Sequence, residues 1–132
     1  MSSEIEYIVR PDLTSEALND LFNRVWDDHE QINLSGVIDH SLTYVCGYRD
    51  AKLIGYVNVA WDGGEHAFLL DTAVDRELRH QGIGSALVNR AIEDVRSRGL
   101  KWLHVDFEPH LESFYRDRGF RDTKAGLIRL RD

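Results

Sequence analysis

The chain has 132 residues, 42% hydrophobic and 30% charged, which suits one soluble globular domain over 1–132 with a single core. A formal net charge of −7, with no basic stripe, is the wrong electrostatics for a phosphate backbone and compatible with a cationic partner, so no nucleic-acid partner is expected. No apolar run approaches the ~20 residues of a membrane span, and MSSEIEYIVR lacks a signal-peptide core.

One cysteine permits no intrachain disulfide, so a cytoplasmic address without membrane attachment is the expectation. Cys46, inside the strand-like LTYVCGY, reads as a buried small hydrophobe rather than a nucleophile. The six histidines (His29, His40, His66, His80, His104 and His110) form no His-x-x-x-His pair, and no metal is expected.

IEYIV (5–9) alternates as a strand, and Pro11 stops it. Thr14 or Ser15 can cap a helix through about Trp26, with Leu18, Leu21, Phe22 and Val25 on one face. A second short helix fits DDHEQINLSGVIDHS. LTYVCGY and KLIGYVNVAW, flanking RDA, read as an antiparallel hairpin. HAFLLDTAV (66–74) is a continuous apolar run, as expected of a strand covered on both faces. From Gly82 the period becomes helical, with Ile83, Leu87, Ala91 and Val95 in one stripe and Gly99 at the end. KWLHVDF (101–107) predicts a strand. Pro109 opens a helix carrying Leu111, Phe114 and Tyr115, closed by Gly119, and AGLIRL (125–130) predicts a last strand. The order is β-α-(α)-β-β-β-α-β-α-β, an α+β sheet with a β-α-β crossover near the middle.

RHQGIG (79–84), just before the helical stripe, has the features of an anion cradle. The first amides of a helix have no intrahelical partners and sit at the positive end of its dipole. Glycines let phosphate oxygens approach that backbone, Arg79 and His80 can add charge, and Ser85 can donate a hydroxyl. A P-loop would need Gly-Lys-Ser/Thr, where this chain has Gly84-Ser85-Ala86. A dinucleotide fingerprint would need a small residue at Leu87 and a first glycine close behind the strand. Neither matches.

VDRELRHQGIGSALV resembles the acetyl-CoA signature of the GNAT superfamily of N-acetyltransferases, Arg/Gln-x-x-Gly-x-Gly/Ala, and FYRDRGF (114–120) is similar to that family's second landmark. The resemblance covers about Ile5 to Leu130. It implies a GNAT-type mixed, mostly antiparallel sheet with helices on both faces and a splayed strand pair that admits CoA. Acetyl-CoA is then the co-substrate. Ala73 and Val74 match the positions whose backbone meets pantetheine, and Arg79, His80, Gln81, Gly82, Ile83, Gly84 and Ser85 match the pyrophosphate cradle. Tyr115 matches the tyrosine that protonates the departing thiolate.

The family's Asn-x-x-Ala is here Glu108-Pro109-His110-Leu111, so Glu108 is expected to cap a helix rather than hold pantetheine. Phe68 and Leu70 stand where many members carry a general base and cannot take a proton. His66 and Asp71 are the nearby titratable groups. Asp71 resembles an acidic position of diamine-acetylating relatives, but alternation puts it on the other face from Phe68 and Leu70. The acceptor side would draw on Trp26, Asp27, Asp28 and Glu30, and on Trp61, Asp62 and Glu65. Acidic groups with aromatics suit an ammonium. The implied function is direct transfer of acetyl to a primary amine, a small cationic one by preference. The alternatives are a protein N-terminus or lysine as acceptor, and a CoA-binding sensor without turnover. A homodimer is left open.

Overall fold

A computed structural model describes residues 4–132. In chain order the elements are β1 (Glu6–Val9), α1 (Ser15–Val25), α2 (Ser35–His40), β2 (Thr43–Arg49), β3 (Lys52–Trp61), β4 (His66–Val74), α3 (Ile83–Ser97), β5 (Trp102–His104) and α4 (Glu112–Asp117), with short 3-10 turns before α3 and α4. The sheet order is β1-β2-β3-β4-β5. Its first four strands pair antiparallel, and β5, returning through α3, lies parallel to β4. This is the expected mixed α+β sheet.

Two apolar clusters sandwich it. The stripe of α3 (Ile83, Leu87, Val88, Ala91, Val95) packs with Val57, Val59, Ala67 and Leu69 on one face. On the other, Leu18, Leu21, Phe22 and Val25 of α1 pack with Tyr44, Cys46, Tyr56 and Ala73. A Cβ at Gly55 would lie 2.9 Å from Leu87 Cδ1, so the missing side chain lets α3 sit close against β3. Thr14 caps α1, its hydroxyl accepting from the Ala17 amide at 3.1 Å. The hairpin turn has positive φ at both Asp50 (51°) and Ala51 (65°), the primed geometry that matches strand twist. Burial pushes the Cys46 thiol up to about 12, in keeping with an inert core residue.

Several expectations need correction. Residues 125–130 form no strand, and Leu127, Ile128 and Leu130 are exposed. Alternation marks a segment as able to form a strand, but a ladder partner has to receive it. The strand expected over 101–107 narrows to Trp102–His104. Nor is β4 covered on both faces. Ala67 and Leu69 are buried under α3, while Phe68 and Leu70, on the other face, are exposed. Glu108 does precede the turn at Pro109, yet its side chain makes no capping bond.

Candidate active site

The sheet opens at one place. β4 and β5 are in register only at His66↔Trp102, Ala67↔Leu103 and Phe68↔His104. Beyond that, Leu69 to Val74 run on without β5 beside them, leaving one row of β4 backbone groups facing a gap. Ala73 and Val74, the expected pantetheine contacts, lie at the open end of this fork.

Within the same stretch β4 carries a bulge. Asn58 pairs with Leu70 and Tyr56 with Ala73, so Asp71 and Thr72 together oppose Val57. Asp71 takes a left-handed φ of 56°. The extra residue breaks the two-residue alternation: Leu69 belongs to the α3 cluster, whereas Ala73 belongs to the α1 cluster. The break in alternation falls within the Asp71–Thr72 pair, both of which oppose Val57, a residue of the α3 cluster. The Tyr56 phenol lies on the α1 side, and burial, with the Asp71 charge after it, raises its pKa.

Just after the fork comes the glycine turn. His80 (φ 65°) and Gly82 (φ 80°) are both left-handed, and the first bond of α3 runs from the Ala86 amide to the Gly82 carbonyl at 3.1 Å. The amides of Ile83, Gly84 and Ser85 precede that bond, so helix geometry leaves them free to receive an anion. A Cβ at Gly82 would meet nothing within 4 Å, so the approach is open. At Gly84 a Cβ would lie 3.7 Å from Phe114 and 3.8 Å from Val74, so the ends of β4 and α4 close over the helix start. Ile83 is buried and anchors the turn, while Arg79, His80 and Gln81 are exposed. Arg79 leans toward α1, where its guanidinium donates to the Val25 carbonyl at 3.4 Å.

Tyr115 is buried in α4 among three rings: stacked on Phe107 at 5.0 Å and edge-on to Phe114 (4.9 Å) and Phe120 (5.8 Å). Phe114 reaches the start of α3, so α4 lies beside the cradle.

The acceptor-side candidates do not stay together. Trp26, Asp28, His29, Glu30 and Ile32 line a shallow groove with Arg131. Asp27 turns away to an ion pair with Arg76 at 2.9 Å, and Arg76 also donates to Val25. Asp62 is committed to its turn, accepting from the Gly64 and His66 amides, and these bonds hold its carboxyl below the usual range. Trp61 pairs with Ala67 and so shares the α3 face. Glu65 starts the fork, its carbonyl accepting from the Lys101 and Trp102 amides. His66 sits at the closed end, its Nδ1 2.8 Å from His104 Nε2, with His104 stacked on Phe68. Five residues of strand, roughly 16 Å at 3.3 Å each, separate His66 from Asp71.

Residues 5–120 match the profile of the Acetyltransferase (GNAT) family. The chain belongs to that family. Over 118 residues it is 25% identical to GCN5-related N-acetyltransferase 1, chloroplastic, of Arabidopsis thaliana, covering 87% of this chain and 60% of that protein. The chain thus spans less than two thirds of that curated relative. Among solved structures, a GNAT family acetyltransferase from Streptococcus pneumoniae TIGR4 superposes with a TM-score of 0.80 at 22% identity, covering 97% of this chain and all of that one. The aminoglycoside N-acetyltransferase AAC(6')-Iy, solved in complex with CoA, gives 0.75 at 15% identity, covering 99% and 97%. At these identities the superpositions establish the GNAT fold. Among the described residues no His/Cys/Asp/Glu cluster suits a metal, and no helix is long and apolar enough to cross a membrane.

Two features of this GNAT site were missed by sequence reasoning. Arg118, inside FYRDRGF, reaches back across 33 residues so that its Nη1 donates to Ser85 Oγ, and its guanidinium lies over the Phe114 ring. Gly119, four residues after the Phe114-Tyr115 pair, marked only a helix end, and no periodicity points a helix-capping arginine at a distant serine. The bulge was equally silent, because it depends on register with β3.

Asp71 is exposed to the fork, but the walls around it remove enough water to push its carboxyl above the ordinary range. A raised acid binds its proton more tightly in the folded chain. The cost of ionising it is therefore absent below the unfolded pKa and complete above the folded one. Asp71→Asn, which also suits a left-handed φ, should raise the Tm more at pH 7 than at about pH 3. Thermal melts at both values check this; an equal gain at both assigns the effect to backbone conformation alone.

Proposed function

We propose that this chain transfers acetyl from acetyl-CoA to a primary amine, a small cationic one by preference, without a covalent acetyl-enzyme. The observation that carries the reading is the fork: β4 from Leu69 to Val74 loses its neighbour and leads within nine residues to free helix amides. Two kinds of unpaired backbone group, an extended row and an anion-binding helix start, suit an amide-bearing arm that ends in a pyrophosphate. Acetyl-CoA supplies the acetyl group activated as a thioester.

Ala73 and Val74 hold the arm through their backbone. The amides of Ile83, Gly84 and Ser85 take the phosphates, with Arg79, His80, Gln81 and Arg118 around them. Asp71, at the bulge, attracts the acceptor's ammonium and takes the proton that its nitrogen gives up as the C–N bond forms. Tyr115 donates its hydroxyl to the sulfur as the C–S bond breaks. Trp26 and Asp28 guide the cation in; Asp27, tied to Arg76, is left a peripheral part. The buried Cys46 fits a reducing compartment such as the cytoplasm.

Arg118→Ala removes a charge from the phosphate cradle and should raise KM for acetyl-CoA about tenfold with kcat little changed. Steady-state kinetics at saturating amine measures it, and an unchanged KM takes Arg118 out of the cradle.

A lysine-like ammonium has a pKa of roughly 10.4, so at pH 7.4 only about one molecule in a thousand is neutral. At subsaturating amine the rate should climb steeply from pH 7 to 9. The acceptor is tested by CoA release with a panel of diamines, amino sugars, anionic amines, and peptides with free N-termini or lysines. Preference for the small cationic members supports the reading. Preference for peptides moves the acceptor to protein, a preference for anionic amines or a flat pH profile contradicts the cationic assignment, and no release from any amine favours a sensor.

A further inference from the structure

Three buried side-chain oxygens lack a hydrogen-bond partner among the described residues: Thr43 Oγ1, Tyr56 Oη and Thr72 Oγ1. Two of them flank Asp71. Thr72 is its neighbour in the bulge, and Tyr56 is the β3 residue paired just past it, with Ala73. Tyr56 is fully buried, its ring edge-on to Phe22 at 5.9 Å and 6.3 Å from that of Tyr44. A buried hydroxyl without a partner costs about 1–3 kcal/mol, and Phe in its place would keep the same ring packing. Such an atom calls for a partner that a ligand or a side-chain rotation brings.

The geometry points to Tyr56 as the positioning residue for Asp71: its hydroxyl donates to the Asp71 carboxylate and fixes it toward the incoming amine. Register sets Tyr56 opposite Ala73, two residues past Asp71 on the neighbouring strand, and the left-handed backbone at 71 takes that residue out of the strand's simple alternation. Asp71 already acts on the phenol electrostatically, raising its pKa together with burial, so the phenol stays protonated and is a donor throughout the neutral range. The other titratable groups bearing on Tyr56 are Cys46 and Tyr44 of β2; from α1 it meets the apolar Phe22. No carboxylate other than Asp71 is among the groups acting on the phenol. Tyr56 thus orients the base without touching the reacting atoms, an inference that rests on the proposed amine acetyltransfer for its kinetic consequence but not for the contact itself.

Tyr56→Phe keeps the ring and deletes the donor. Carbon-13 NMR titration of the Asp71 side-chain carboxyl, in the free chain and with 1,4-diaminobutane present, reads the contact directly. Loss of a donor to the charged form should raise the midpoint by about one pH unit. In kinetics, Tyr56→Phe should lower kcat/KM for the amine about tenfold, leave acetyl-CoA affinity unchanged, and add nothing in an Asp71→Asn background. A midpoint that does not move in either condition overturns the proposal, as does a loss that is additive with Asp71→Asn. A moved midpoint in a chain that acetylates no amine keeps the Tyr56–Asp71 contact and rejects the function instead. Should Tyr56→Phe fold poorly, Asp71→Asn in the wild-type background with the Tyr56 hydroxyl followed by NMR gives the same decision: its resonance must respond to loss of the carboxylate.

Discussion

Tyr115→Phe should lower kcat by roughly 10²–10⁴ while leaving acetyl-CoA affinity within a few-fold. The ring is held by Phe107, Phe114 and Phe120, and Phe in its place keeps every one of those contacts. Only the hydroxyl is lost. A phenol of pKa ~10 remains protonated at neutral pH, and passing its proton fully to a thiolate of pKa ~8.5 is uphill by about 2 kcal/mol. In the proposed mechanism the donor therefore works by stabilising negative charge as it develops on sulfur, with solvent restoring the proton. Single-turnover kinetics in which acetyl transfer limits the rate is the measurement. Near-wild-type kcat there leaves Tyr115 with core packing as its sole duty.

Gly82→Val should weaken acetyl-CoA binding by at least tenfold. Two effects act together. Gly82 sits at φ 80°, where a β-branched residue is strained, and its open side is the approach to the free amides of α3. The exposed turn lies outside the core, so the circular dichroism spectrum should be retained. Gly82→Ala, which shares the backbone strain but projects less into the approach, should fall between the two in calorimetric titration. Unchanged affinity in a folded Gly82→Val chain removes the cradle from 82–85.

The parts of this molecule that periodicity controls were readable in its sequence. The α1 face of Leu18, Leu21, Phe22 and Val25 and the α3 stripe from Ile83 to Val95 are buried as their spacing requires, because a helix stripe needs only a surface to meet. The glycine turn was legible for a similar reason, its properties being local to six residues. What failed depended on partners. The bulge at Asp71 and Thr72 exists only in register with Tyr56 and Asn58, and AGLIRL lacks the ladder that its alternation invites. Trp61 and Asp62, within four residues of acidic Glu65, were divided by the turn: one ring faces the α3 side and one carboxylate ties down the turn amides. Arg118 entered the cradle from 33 residues away. Charge and residue type suggested a cation-binding, anion-cradling surface, but which residues stand near one another was set by strand register and helix placement.

The central claim is that the fork and the cradle deliver acetyl from acetyl-CoA to an amine. Its most direct measurement is a rapid-quench experiment with the chain in excess over acetyl-CoA and a cationic diamine present, following free CoA and acetylated diamine by mass spectrometry. The account predicts that both appear together in equal amounts, with no acetylated protein before them and with the reaction slowed in Tyr115→Phe. Acetyl-CoA that stays bound and intact with every amine supplied, or an acetyl group found first on the protein, would contradict it.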